Sequence, residues 1–193
     1  SLVRIGTTAS EFNPLKIKPV DKVAITPSQQ LANGGFEKDS YVINQKTEMP
    51  WCNILANPAF GTLLSESSLG FSYAINSREN KLTPWFNDSR TDNRGELLLI
   101  KCGDKCYDAV LGSTAVFSGT KAVYCGICDQ FESKVTVSVS KTGMCKKIEL
   151  ELIWLSSEKK AEIAFYTEPV LGVSRDNSRM IVFSCENESL IAH

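Results

Sequence analysis

Two stretches near the C-terminal end, KVTVSVS at 134–140 and KIELELIWL at 147–155, alternate between apolar and polar residues. Val135, Val137 and Val139 share one face of the first; Ile148, Leu150 and Leu152 share one face of the second. Successive side chains of a strand point to opposite sides. A period of two therefore sets one face on a core and the other in water, as in antiparallel sheets. A third run, AEIAFYTEPV at 161–170, follows the SSEKK turn.

Outward from these strands the pattern continues in shorter pieces. CNILAN at 52–57 and FGTLLSES at 60–67 flank Asn57-Pro58, and GFSYAI at 70–75 follows. GELLLIK at 95–101 and CYDAVL at 106–111 are joined by CGDK, which reads as a tight hairpin turn. ANGGF at 32–36 reads as a turn, because paired glycines permit positive φ. Residues 1–32, with Pro14, Pro19 and Pro27, read as an irregular lead-in, and 33–193 as one domain. No window supports a long amphipathic helix, and no repeat of roughly 20–50 residues is visible. The fold class is all-β, an antiparallel β-sandwich.

Composition narrows the chemistry. The chain has 193 residues, 42% apolar and 22% charged, and a net charge of -1. That size builds one domain with a real core, and that charge leaves no electrostatic footprint for nucleic acid or an anionic membrane. No apolar run approaches the roughly 20 residues of a membrane span. The first residues lack a signal-peptide pattern and an initiator Met, which suggests an excised piece of a larger protein. Seven cysteines, an odd number, favour reduced thiols and a cytoplasmic setting. The one histidine is His193, the last residue, so a Ser-His-Asp triad, a Cys-His dyad and a two-histidine metal site have no interior histidine.

The candidate sites each have an ordinary alternative. Cys102, Cys106, Cys125 and Cys128 form two close pairs that could make a tetrahedral zinc site, yet they flank turns and strand ends where cysteine serves as a small hydrophobe. Glu66, Glu79, Asp88 and Asp92 cluster in sequence as a carboxylate pair for glycoside cleavage would, but polar loops carry such residues routinely. Trp154 lies in an alternating strand. Trp51 and Trp85 follow prolines in polar surroundings, where an indole face can stack on a sugar ring or plug a loop onto a sheet. The loop NSRENKLTPWFND at 76–88 is too long and too polar for an ordinary strand connection.

The forty residues MPWCNILANPAFGTLLSESSLGFSYAINSRENKLTPWFND at 49–88 closely resemble the N-terminal super-sandwich domain of glycoside hydrolase family 94, formerly glycosyltransferase family 36. The upstream NGGF…YVI and the downstream YTEPVLGVSRD at 166–176 fit the same branch, that of cyclic β-1,2-glucan synthases and 1,2-β-oligoglucan phosphorylases. The Cys-rich middle departs from the pattern. The resemblance implies a galactose-mutarotase-like sandwich that precedes a large (α/α)6 barrel. In the family that barrel holds the catalytic aspartate and the phosphate site, and this chain ends without it.

The resemblance thus implies no catalytic residue and no cofactor here, although a parent phosphorylase would use inorganic phosphate as substrate. It makes the 76–88 loop a polar rim facing the barrel, a partner subunit of a homodimer or a β-glucan oligosaccharide. Arg78, Glu79, Asn80, Thr83, Trp85, Asn87 and Asp88 are the expected contacts. The parent would be cytoplasmic, or membrane-associated if it is a synthase. The competing readings are a purely structural scaffold, a self-sufficient mutarotase-like or glycosidase enzyme, and a zinc module.

Overall fold

The computed structural model describes residues 14–19, 27, 29–85, 88, 91, 93–157, 159–187 and 189–193. Its strands in chain order are β1 (Leu15–Lys16), β2 (Lys18–Pro19), β3 (Gln29–Leu31), β4 (Gly34–Glu37), β5 (Ser40–Ile43), β6 (Cys52–Ala56), β7 (Phe60–Ser65), β8 (Ser68–Ala74) and β9 (Glu96–Cys102). They continue with β10 (Lys105–Asp108), β11 (Thr114–Ser118), β12 (Lys121–Ile127), β13 (Phe131–Val139), β14 (Lys146–Trp154), β15 (Glu162–Thr167), β16 (Phe183–Glu186) and β17 (Ser189–Ala192). A 3-10 turn at Arg175–Met180 precedes the last hairpin. Among the described residues no helix is long and apolar enough to cross a membrane.

An eight-stranded sheet runs β14-β13-β12-β11-β5-β4-β3, with β2 added beside β12. A four-stranded sheet runs β1-β10-β9-β15, a three-stranded one β6-β7-β8, and β16 pairs with β17. The all-β sandwich expected from the alternation is what the chain forms. The described parts of 1–32 are not all irregular: β1, β2 and β3 join the two larger sheets.

The core lies between the sheets and follows the parity of the strands. Phe131, Val135 and Val137 of β13 are fully buried, and Ile148, Leu150 and Leu152 of β14 pack on the same cluster. Tyr124 is wholly enclosed and donates its hydroxyl to the Ser65 carbonyl at 2.9 Å, which ties β12 to the three-stranded sheet. Burial pushes that phenol above the ordinary tyrosine range.

The glycine pair at 34–35 plays a different part from the one expected. The turn residues are Ala32 and Asn33, and both glycines sit inside β4. A side chain at Gly34 would lie 1.8 Å from the Val42 carbonyl oxygen, so the glycines serve close backbone approach rather than positive φ. The Cys102–Lys105 turn is the tight hairpin expected.

Candidate functional site

The 76–88 loop leaves β8 through a strained turn. The Asn76 amide donates to the Ala74 carbonyl at 2.6 Å, and Ile75 between them has φ 60. A β-branched residue rarely adopts that conformation and is held there by its surroundings. Here the Ile75 amide is pinned by the Ala59 carbonyl at 2.9 Å, and the Ala74 amide by the Asn80 carbonyl at 3.0 Å. The Asn76 carboxamide then accepts the amides of Arg78 and Glu79 at 2.8 and 3.1 Å, winding the tip into a short turn.

The return path is fastened to a distant part of the chain. Lys81 bridges Tyr73 on one side and Gly172 on the other. Its amide and carbonyl pair with Gly172 at 3.1 and 2.9 Å, and its ammonium donates to the carbonyls of Val173 and Arg78 at 3.0 and 3.3 Å. The Val170 amide meets the Leu82 carbonyl at 2.9 Å, and the Glu168 amide the Gly95 carbonyl at 2.8 Å. Arg175 locks the end of that segment through Glu168 at 2.8 Å and the Asn93 carbonyl at 2.6 Å. NSRENKLTPW and YTEPVLGVSRD are thus one piece of structure.

Beneath the loop lies a buried polar network. Thr83 accepts the Ser72 amide at 2.8 Å and donates to Glu96 Oε1 at 2.7 Å. Ser72 donates to the same oxygen at 2.8 Å. Glu96 Oε2 receives the Lys146 ammonium at 2.5 Å, and Lys146 also donates to the Leu69 carbonyl at 2.8 Å. Burial pulls that ammonium below the ordinary lysine range, with Glu96 opposing the shift. The network ties β8, β9, β14 and the loop together. Pro84 packs within van der Waals reach of Gly95, where a side chain would meet the ring at 2.6 Å.

The expected contacts therefore divide. Arg78, Glu79 and Asn80 are exposed at the tip, with Arg78 and Glu79 paired at 3.2 Å. Thr83, expected on the rim, lies inside with its hydroxyl engaged on Glu96. Trp85 is half-buried and lies parallel to Phe71 with ring centroids 5.5 Å apart, so it fastens the loop to β8. Asp88 is half-buried, accepts the amide and hydroxyl of Thr91, and borders a cleft of only about 20 Å3 with Trp85 and Arg94. Asn87 and Asp92 lie outside the described residues.

The other candidates are separately engaged. Glu66 is buried, accepting the Thr47 amide and hydroxyl at 2.9 and 2.8 Å and the Trp51 amide at 3.2 Å. Asp108 holds Arg94 and two turn amides, and Asp129 holds Lys105 and the Tyr107 hydroxyl. Cys102 and Cys106 belong to the four-stranded sheet, whereas Cys125 lies on β12 of the eight-stranded one. Among the described residues no three His, Cys, Asp or Glu side chains are grouped to hold a metal ion.

The profile of the glycosyl hydrolase 94 supersandwich domain matches residues 39–192. The chain belongs to that family. The supersandwich is also 30% identical over 175 residues to the cyclic beta-(1,2)-glucan synthase NdvB of Rhizobium meliloti (strain 1021), covering 81% of this chain. It spans 6% of that synthase's length. In this supersandwich the residues sequence reasoning missed are Glu96 and Lys146. Their signal was parity: Glu96 shares a face with Leu98 and Ile100, and Lys146 with Ile148 and Leu150.

Proposed function

We propose that this supersandwich is a non-catalytic domain of a β-1,2-glucan-active enzyme, whose rigid polar rim at Arg78, Glu79 and Asn80 meets saccharide or a neighbouring domain. The observation that carries the reading is the division within the loop. Its base is anchored by Thr83, Pro84, Trp85 and Lys81, while the tip presents a planar guanidinium, a carboxylate and a carboxamide to solvent. The backbone of such a tip loses little conformational freedom on binding. Its groups suit hydroxyls or a facing carboxylate.

The glucan context comes from the family and from the name of the synthase relative. The buried carboxylates Glu66, Glu96 and Asp108 are committed to structural bonds, which argues for chemistry carried elsewhere in the parent. That parent is a synthase or a phosphorylase, the latter attacking with inorganic phosphate, on an (α/α)6 barrel and as a possible homodimer in the cytoplasm or at its membrane. A scaffold role is favoured by one further observation. The edge strand β15 is exposed along its whole length, with Ile163, Phe165 and Tyr166 about half uncovered. Apolar edges of that kind ordinarily find a cover.

The test is Arg78→Ala in the full-length enzyme. A fall of about tenfold in kcat/KM on β-1,2-glucooligosaccharides, or a loss of dimers, is expected. Unchanged kinetics together with unchanged assembly would refute the rim.

A further inference from the structure

The aromatic side chain best placed to meet a ligand is Trp51, on a part of the molecule the rim does not use. Its indole lies parallel to Tyr41, with centroids 4.9 Å apart and planes 11° apart, and Tyr41 meets Phe36 edge-on at 4.7 Å. Trp51 is nevertheless 50% exposed. One face is stacked on Tyr41, and half of the residue's surface stays open to solvent. The shelf is fixed from behind, because Glu66 holds the Trp51 amide and both donors of Thr47.

Pro50, the preceding residue, lines a cleft of about 190 Å3. Ile43 lies in the same cleft, two residues along β5 from Tyr41 and so on the same strand face, roughly 7 Å away. Shelf and cleft are therefore neighbours. The far wall is the Leu111–Ser113 turn, held rigid by Asp108, which accepts the amides of Val110 and Leu111 at 2.9 and 3.0 Å.

Besides Glu66, the polar residues lining this space are Lys16, Asn44, Gln45, Lys46, Ser67 and Ser113. The side chains of Asn44, Gln45 and Lys46 have no hydrogen-bond or ion-pair partner among the described residues. Carboxamides both donate and accept, and an ammonium donates. The one carboxylate in the lining, Glu66, is already occupied on both oxygens. Two carboxamides, two hydroxyls and two ammoniums can donate to and accept from the hydroxyls of a sugar ring. The volume is below that of drug-sized sites and accommodates a single ring, whereas the 20 Å3 space beside Trp85 holds no more than a water or so.

We infer that this face is a saccharide site, with one sugar ring in the cleft and the adjoining ring stacked on Trp51. The site stands on its own geometry; only the choice of a β-1,2-glucan as first probe rests on the proposed function above.

The experiment titrates this chain with β-1,2-glucooligosaccharides, and separately with β-1,4 oligomers, by calorimetry and tryptophan fluorescence. Saturable binding is expected, at least about tenfold weaker in Trp51→Ala and several-fold weaker in Gln45→Ala, with the exposed control Met180→Ala unchanged. Thermal melts of each variant accompany the titrations. If Trp51→Ala does not fold, Gln45→Ala decides: unchanged affinity there overturns the site. Absence of binding to both sugars overturns it, as does binding kept in Trp51→Ala. Trp51-dependent binding of β-1,4 but not β-1,2 oligomers keeps the site and overturns the β-1,2 reading of the parent instead.

Discussion

Two ion pairs stand at opposite extremes of this molecule. Arg78 and Glu79 meet at 3.2 Å with side chains 85% and 56% exposed; Lys146 and Glu96 meet at 2.5 Å with 8% and 3% exposed. In water the first attraction is screened to about 1 kcal/mol or less and costs side-chain freedom. The second has lost its hydration, at several kcal/mol per ion, and stands only because Ser72, Thr83 and the Leu69 carbonyl satisfy the remaining valences. One pair is free to change partners. The other fixes which strands face which.

The comparison breaks most sharply at Glu96. Glu96→Ala strands an ammonium in the interior and is expected to cost about 3–5 kcal/mol in urea denaturation. Replacing both ions by apolar residues, Glu96→Leu with Lys146→Met, is expected to restore most of that loss. A single variant as stable as wild type would show the pair to be hydrated. Trp85→Ala comes next, at about 2 kcal/mol, since it uncovers Phe71 at the loop base.

A smaller effect comes from pH. Because burial lowers the Lys146 ammonium in the folded state, the unfolded chain holds that proton more tightly. Stability relative to the Glu96→Leu/Lys146→Met variant therefore rises as pH climbs from the depressed value toward the ordinary 10.5. Below that window both states are protonated and the penalty is present in full. A flat difference between the two proteins would contradict a desolvated ammonium. Smallest of all, Arg78→Ala is expected to change stability by less than about 0.5 kcal/mol, so any larger effect would place Arg78 in the fold rather than on the rim.

The strands were legible because parity is a local property: Val135, Val137 and Leu150 announce their own faces. Parity also held the information for Glu96 and Lys146, but a charge on an apolar face reads as an end of the strand until its partner is known. Thr83 was placed outward for the complementary reason, and Trp85 was left between stacking on a sugar and plugging the loop. Nothing near them in sequence reveals that Ser72, Phe71 and Glu96 lie beneath. Gly34 and Gly35 look like turn residues because composition cannot distinguish freedom of φ from lack of space. Glu66 illustrates a carboxylate whose purpose, holding Thr47 and Trp51, is visible only once the loop has closed on it.

The Lys81–Gly172 clasp has a consequence for how such domains can be exchanged. A loop graft that moved only residues 76–85 into a related sandwich would arrive without the Val173 and Gly172 carbonyls that receive the Lys81 ammonium and amide. The transferable cassette is discontinuous, comprising the loop and the 168–175 segment together. Chimeras with a crossover between the two should fail more often than those that inherit both from one parent.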